Sequence, residues 1–128
     1  MTDPGTRQLL AFAAVFTVAD VAASVAHYVE RLGFRVEFRL GDPPSYAIIE
    51  RDALSLHLMP VRQAPETLGR SSVYVFVADV DALHDELRQR GGPIEVAPED
   101  FDCGMREMSV RDPDGNRLTF GREIKAKG

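Results

Sequence analysis

The sequence predicts an α+β fold in which two βαβββ modules form one open, cupped mixed sheet. The first observation is a duplication, because Val-Ala-Asp-Val occupies residues 18–21 and again residues 77–80. The second is that a short run rich in valine and phenylalanine, typical of buried strands, precedes each copy. The third is that an amphipathic helical pattern and three strand-like runs follow each copy in the same order.

The first helix follows a predicted strand over residues 13–18. Asp20 can cap this helix, because a carboxylate accepts hydrogen bonds from the unpaired amides of the first turn. One apolar stripe at helical spacing is formed by Val21, Val25, Tyr28, Val29 and Leu32. Gly33 then provides a left-handed residue at which the helix ends.

The second helix repeats these signals after a predicted strand over residues 73–77. Asp79 is its predicted cap, and Gly91 with Gly92 predicts its left-handed end. Its thinner apolar stripe consists of Val80, Leu83 and Leu87. The ionisable residues of the two helices are expected on solvated surface or as caps, rather than in an acid/base pair. They are His27, His84, Asp79, Asp81, Asp85 and Glu86.

Three predicted strands follow each helix. They cover residues 35–40, 46–50 and 54–59 in the first module and residues 94–97, 105–111 and 117–120 in the second. Turns are predicted at residues 42–45 and 112–115, because both contain proline and the second also contains glycine, which are residues that such turns favour. The modules span residues 9–62 and 70–124 of a single domain, 9–124, with a flexible lead-in at 1–8 and a tail at 125–128.

Composition supports one globular domain and excludes several classes of function. The 128 residues are 45% hydrophobic and 27% charged, and their formal net charge is −5. An acidic chain argues against nucleic-acid binding, which usually requires a basic face. The single cysteine, Cys103, excludes an internal disulfide framework and a cysteine-rich zinc site.

An apolar run at residues 9–19 raises the question of a targeting or membrane segment. It is shorter than the roughly 20 residues that a membrane-spanning helix needs. A similar run at residues 73–80 lies where no signal peptide can be. Both runs are therefore interpreted as strands leading into helices, and we expect a cytoplasmic protein that contacts no membrane.

Strand alternation separates an apolar face from a mixed face in both modules. The leucines around His57 point one way and His57 points the other, while Glu107 and Ser109 lie opposite apolar neighbours. The apolar faces are expected to pack under the helices. The mixed faces are expected to line a cleft, because Tyr74 and Phe76 would be costly to expose to water.

The mixed faces supply the candidate ligand-binding residues. These are Phe38, Tyr46, Ile48, His57, Tyr74, Phe76, Cys103, Glu107 and Ser109. The aromatic members could stack on a flat ligand, with about 0.5–1.5 kcal/mol per aromatic pair beyond area burial. Glu107 could provide the counter-charge for a basic ligand, since a partly buried carboxylate needs a cation or strong donors.

Some of these residues also have purely structural interpretations. His57 could be a packed or hydrogen-bonded histidine, and Cys103 a small hydrophobic residue. Phe38 shares strand parity with Val36, which favours a place in the core. Glu107 could form an internal salt bridge, for which the candidate partners are Arg106, Arg111 and Arg35.

Two motifs add to the duplication. Asp-Pro-Asp-Gly-Asn occupies residues 112–116, and Cys-Gly-Met-Arg-Glu-Met occupies residues 103–108. Together with the duplicated unit, over residues 10–122, they resemble the vicinal oxygen chelate superfamily of glyoxalases, extradiol dioxygenases and bleomycin-resistance proteins. The bleomycin-resistance branch is the most similar, and the resemblance implies a homodimer with two symmetric clefts at its interface.

The resemblance also implies metal-ligand positions that can be checked. The superfamily's enzymes bind a divalent ion with His and Glu side chains from both halves. The matching positions here hold Ala13, Ser72 and Thr119, and only His57 could coordinate. Alanine has no donor, neutral hydroxyls are poor transition-metal ligands, and one imidazole does not make a site. We therefore expect no metal and no other cofactor.

Three functions follow as hypotheses. The first is a metal-free small-molecule-binding protein of the bleomycin-resistance type, which sequesters a bleomycin-like, other aromatic or cationic compound in a cleft. The second is a glyoxalase- or dioxygenase-like enzyme with a degenerate metal site completed by His57 and Glu107, or a metal-free acid/base enzyme. The third is a fold retained for protein interaction.

Overall fold

The computed structural model describes residues 5, 7–62 and 64–124, and both modules are present in it. The first module contains β1 (Ala14–Val18), α1 (Val21–Leu32), β2 (Arg35–Leu40), β3 (Tyr46–Arg51) and β4 (Leu54–Pro60). The second contains β5 (Ser72–Phe76), α2 (Val80–Gln89), β6 (Ile94–Asp100), β7 (Met105–Arg111) and β8 (Arg117–Glu123). The predicted tail at 125–128, and residues 1–4 and 6 of the predicted lead-in, lie outside the described residues.

Each module builds its own four-stranded mixed sheet. The strand orders are β1-β4-β3-β2 and β5-β8-β7-β6. β1 runs parallel to β4, β5 runs parallel to β8, and the remaining pairs are antiparallel. The predicted α+β architecture of two βαβββ modules is therefore confirmed, with the strands in two sheets rather than one. Neither helix of the described residues has the length and apolar character needed to cross a membrane.

The helix caps form as the local sequence predicts, with one exception. Asp20 accepts a hydrogen bond from the Ala23 amide at 2.9 Å, and Asp79 accepts one from the Ala82 amide at 3.0 Å. Gly33 and Gly91 have positive φ angles of 75° and 72°, as their predicted roles require. Gly92 does not share this conformation, so that part of the prediction is wrong.

Several strands differ in length from the prediction. β6 continues to Asp100 instead of ending at residue 97, and β8 continues to Glu123 instead of 120. The reason is pairing with β7, because Asp100 lies opposite Arg106 and Glu123 lies opposite Met105. Backbone ladder hydrogen bonds extend these strands through residues whose side chains give no strand signal. The other strand ends agree with the prediction to within one residue.

One hydrophobic core runs through both modules. Its members include Phe16, Tyr28, Leu56, Leu87 and Met108, all of which are almost completely buried. They come from the helix stripes and from the apolar strand faces, so the predicted packing of these faces under the helices is confirmed.

The predicted turn at 112–115 joins the modules. Asp112 accepts hydrogen bonds from the Tyr28 hydroxyl at 3.0 Å and from the Asn116 side chain at 2.9 Å. The same Asn116 amide group donates to the Thr17 carbonyl of β1. Burial, followed by the Asp112 charge, raises the pKa of Tyr28. This segment therefore joins the modules through the buried side chains of Asp112 and Asn116, in addition to forming a turn.

The histidines of the helices are not solvated, contrary to the prediction. His27 is half-buried, and its Nε2 atom has no hydrogen-bond partner among the described residues. Burial lowers the pKa of His27. The His84 side chain is also largely covered, with 17% exposure, and its Nδ1 lies 4.0 Å from an Asp85 oxygen. Both side chains lie on helix faces turned toward the protein, which an apolar-stripe pattern does not reveal.

Candidate ligand-binding site

The mixed face of the first sheet gathers four of the candidate residues. Strand register places Val15 opposite His57, His57 opposite Ile48, and Ile48 opposite Phe38. Residues directly opposite one another in neighbouring strands share a face of the sheet. Tyr46 lies two residues before Ile48 on the same face. Phe38, Tyr46, Ile48 and His57 are called the first-sheet cluster below.

A shift in strand register brings Phe38 into this cluster. Val36 packs against the core, and simple alternation would send Phe38 to the same side. The register between β2 and β3 shifts between these two residues, so that Phe38 lies opposite Ile48 and is 46% exposed. A bulge of this kind redirects the side chains that follow it. The structural interpretation of Phe38 as a core residue is therefore wrong.

Tyr46 and His57 form a polar pair within the first-sheet cluster. The Tyr46 hydroxyl and His57 Nδ1 share a hydrogen bond, and the two rings meet edge-on with centroids 5.6 Å apart. The Phe38 ring centroid lies 6.3 Å from that of Tyr46. His57 is thus a hydrogen-bonded histidine, one of the two interpretations that the sequence allowed.

The mixed face of the second sheet holds an aromatic pair beside a carboxylate. The Tyr74 and Phe76 ring centroids are 5.2 Å apart, and the side chains are 40% and 78% exposed. The Tyr74 hydroxyl donates a hydrogen bond to Glu107 Oε2 at 2.7 Å. Partial burial and the bond to Glu107 raise the pKa of Tyr74 to about 12. The phenol therefore stays protonated at neutral pH and remains a donor.

Gly121 makes the contact between Tyr74 and Glu107 possible. It lies on β8, between Phe76 on β5 and Glu107 on β7 in the strand register. A Cβ atom built on Gly121 would come within 2.0 Å of the Tyr74 hydroxyl oxygen. The phenol thus lies directly over the glycine backbone. The candidates predicted from the sequence do not include Gly121, although a glycine inside a strand signals such a close approach.

No cation neutralises Glu107 within the described part of the chain. Arg106 pairs with Asp81 and Asp100, and its nitrogens lie 2.9 Å from a carboxylate oxygen of each. Arg111 pairs with Glu95 and Arg35 pairs with Glu50. The internal salt bridge considered from the sequence therefore does not form. In addition, Glu99 lies directly opposite Glu107 in the register of β6 and β7.

Ser109 belongs to a neighbouring network. Its hydroxyl donates to Glu95 Oε1 at 2.9 Å, and Glu95 also accepts hydrogen bonds from Arg111 and Arg117. The hydrogen bond from Arg111, followed by those from Arg117 and Ser109, lowers the pKa of Glu95 to about 2. Glu95, Glu107 and Ser109 line a cavity of about 320 Å³. The sequence did not indicate Glu95.

The remaining candidate, Cys103, is exposed in the turn between β6 and β7. It follows β6 and precedes Glu107 by four positions in the chain. Tyr74, Phe76, Cys103, Glu107 and Ser109 are called the second-sheet cluster below. Among the described residues, no hydrogen bond, ion pair or ring contact joins this cluster to the first-sheet cluster. One chain therefore presents the candidate residues in two separate clusters.

The residues at the family's metal-ligand positions do not fit a catalytic ion. Val15 lies opposite His57 in the first sheet, and Tyr74 lies opposite Thr119 in the second. His57 and Thr119 therefore occupy equivalent places in the two sheets. The other two positions hold Ala13 and Ser72. Within the described ranges, no three His, Cys, Asp or Glu side chains are grouped closely enough to hold a metal ion. A single imidazole is not sufficient for such a site.

This chain is a small protein of two βαβββ modules whose sheets expose aromatic and polar side chains. The profile of the Glyoxalase/Bleomycin resistance protein/Dioxygenase superfamily matches residues 10–120 of this chain. The chain belongs to this family.

Relatives of known structure and sequence agree with this membership. An uncharacterised protein of Mycolicibacterium smegmatis is 33% identical over 111 residues, which cover 87% of this chain and 91% of that protein. The bleomycin-binding protein of Streptomyces verticillus, solved with copper(II)-bleomycin, is 28% identical with a TM-score of 0.74, and the match covers 94% of this chain and all of that one. A glyoxalase/bleomycin resistance protein from Catenulispora acidiphila is 26% identical with a TM-score of 0.71, over 88% and 97% of the two chains.

Proposed function

We propose that this protein binds and sequesters a small aromatic or cationic compound and that it does so without a catalytic metal. The observation that carries the proposal is the environment of Glu107. Its carboxylate accepts a hydrogen bond from Tyr74, lies beside the Tyr74–Phe76 ring pair and has no cationic partner among the described residues. A flat cation would neutralise the Glu107 carboxylate and at the same time stack on the Tyr74 and Phe76 rings.

The cross-strand position of Glu99 supports a cationic ligand. Two like charges directly opposite each other in an antiparallel pair repel, which destabilises the sheet. A cation near Glu99 and Glu107 would remove that cost. The similarity to a protein solved with copper(II)-bleomycin makes a bleomycin-like compound one candidate, alongside other aromatic cations.

The separation of the two clusters supports a homodimer. In our proposal the first-sheet cluster of one copy faces the second-sheet cluster of another, which produces two symmetric clefts. Tyr46 and His57 would then contribute the polar contacts opposite Glu107. We place the protein in the cytoplasm.

Isothermal titration calorimetry tests the proposal with bleomycin, with proflavine as a planar cation and with anthracene carboxamide as a neutral planar control. We expect at least tenfold weaker binding of the cations to the Glu107→Gln variant and little change for the neutral probe. Glu30→Gln, on the exposed face of α1, is the matched control.

Metal dependence is tested on the same protein after exhaustive chelation. Unchanged affinity for proflavine supports a metal-free site. The proposal fails if neither cationic probe binds at millimolar concentration, or if binding requires a stoichiometric metal that the His57→Ala variant loses.

A further inference from the structure

A groove lies between α1 and β2, on the side of the first sheet that the helix covers. Its volume is about 530 Å³. Its apolar lining consists of Ala22, Val25, Ala26, Val29, Phe34 and Val36. Val25 and Phe34 belong to the core and form the floor, with 3% and 4% of their surface exposed. This α1–β2 groove shares no lining residue with the first-sheet or the second-sheet cluster.

The groove stays open because the helix residues beside it are small. Ala22 and Ala26 are exposed, and residues four positions apart in a helix face the same direction. In the described part of the chain, β2 is the outer strand of its sheet, so one long side of the groove faces the solvent. An alkyl chain can therefore enter it without a rearrangement of the backbone.

The register shift in β2 places a charged residue on the helix-covered face of the sheet. Arg39 lies opposite Ala47, and Ala47 lies opposite Leu58 in the next strand. Ala47 and Leu58 are completely buried in the core, and residues directly opposite one another share a face. Without the shift, alternation from Val36 would turn Arg39 to the other face. Arg39 therefore lines the groove while it remains exposed.

Arg39 is a cation without an anionic partner in the described part of the chain, where no carboxylate lies within ion-pair distance of it. The neighbouring Arg35, by contrast, has nitrogens 3.1 Å from a Glu50 oxygen and 3.7 Å from a Glu37 oxygen. Edge strands often carry an inward-pointing charge that prevents pairing with another chain. Here the charge also lies at an apolar groove, and such a pairing of surfaces suits an amphipathic carboxylate.

We propose that the α1–β2 groove binds the alkyl chain of a medium-chain fatty acid and that Arg39 binds its carboxylate. β2 begins three residues after α1 ends and runs back along the helix, so Arg39 lies toward the start of α1. From Ala22 the groove extends to Glu30, a distance of about 12 Å along the helix axis at 1.5 Å per residue. A guanidinium can hold a carboxylate through two parallel hydrogen bonds, and the apolar lining buries the chain.

Glu30 gives the groove a preference for one carboxylate over two. It lines the end of the groove away from Arg39, is exposed and has no ion pair among the described residues. A dicarboxylate of the same length would bring its second charge toward Glu30 and be repelled. This site is independent of the one in the proposed function, because it uses other residues on the other face of the sheet.

Isothermal titration calorimetry with decanoate, below the concentration at which it forms micelles, tests the site on the intact chain. We expect binding to tighten about two- to fourfold for each methylene added from octanoate to decanoate, because burial of a methylene is favourable. Decylamine, with the same chain and the opposite charge, should bind at least about tenfold more weakly, and so should sebacate, the matching dicarboxylate. Failure of decanoate to bind at millimolar concentration, or equal binding of decylamine, overturns the proposal. Equal binding of sebacate overturns the role of Glu30.

Paired variants locate the binding on the protein. Arg39→Gln should weaken decanoate binding at least about tenfold, while Arg88→Gln, at an exposed position on α2, should not. Ala26→Phe should block the groove, while Ala23→Phe, the same change at an exposed position outside it, should not. Circular dichroism checks that each variant folds, and Arg39→Gln decides alone if Ala26→Phe does not. Unchanged affinity in the Arg39→Gln variant overturns the proposal, and the proflavine titration is unaffected because Glu107 is not part of the groove.

Discussion

Tyr28 and Asp112 join the two modules through a buried hydrogen bond. The Tyr28 hydroxyl on α1 donates to Asp112 Oδ2 at 3.0 Å, and both residues are almost fully buried. Asp112 also accepts hydrogen bonds from the backbone of Asp114 and Asn116, which shapes the turn before β8. One carboxylate therefore holds both its own hairpin and the helix of the other module.

Removing the Tyr28 hydroxyl should weaken this junction. Tyr28→Phe keeps the edge-on ring contact with Phe34 but leaves the buried Asp112 carboxylate with one donor fewer. We expect the free energy of unfolding to fall by about 1–3 kcal/mol. Urea unfolding measures it, and Tyr46→Phe, whose hydroxyl is only part-buried, should cost less. Equal losses in the two variants would contradict the proposed role of Asp112.

His27 should make stability decrease in mild acid. Burial lowers the pKa of His27 below the usual 6.5. The Asp112 carboxylate acts in the opposite direction and raises the pKa, while Arg31 lowers it by a smaller amount. The folded state therefore favours neutral His27, and this contribution is complete above pH 6.5 and is lost as the pH falls through the lowered pKa. His27→Gln should flatten the fall in melting temperature between pH 7 and pH 5. A profile unaffected by His27→Gln would refute this assignment.

Gly121→Ala should displace the Tyr74 phenol. The added Cβ would lie 2.0 Å from the hydroxyl oxygen and 2.7 Å from Cζ of Tyr74, so the ring must move away. The hydrogen bond to Glu107 is then lost, and the pKa of Tyr74 should fall from about 12 toward its ordinary value of 10. Ultraviolet titration of the phenolate measures this shift, with Tyr74→Phe identifying the signal. An unchanged titration would mean that the phenol does not depend on Gly121.

Glu99→Gln should raise the stability of the free protein and weaken its binding of a cationic ligand. Removing one of two opposed carboxylates relieves repulsion across β6 and β7, so the melting temperature of the free protein should rise. The same change lowers the negative potential beside Glu107 and should weaken proflavine binding. Thermal unfolding with and without proflavine measures both effects. If the variant gains stability and binds proflavine as tightly as the wild type, Glu99 does not belong to the proposed site.

The residues of the candidate site were predictable to different degrees. Strand alternation correctly assigned His57 and Glu107 to mixed faces, because side-chain direction alternates along any regular strand. The same rule failed at Phe38, since the register shift in β2 follows from pairing with β3. The hydrogen-bond partners of these side chains could not be predicted from neighbouring residues, because the donor to Glu107 is Tyr74, which lies 33 positions away in the chain.

The sequence by itself determined the duplicated order of elements, the aspartate caps of both helices and the apolar faces of the strands. These features depend on residues a few positions apart, so a short stretch of sequence is enough to predict them. Only the tertiary structure decided that the strands form two sheets, that the 112–116 turn joins the modules and that His27 is half-buried. Those outcomes depend on contacts between distant segments, and no local pattern encodes which distant surface a side chain will meet.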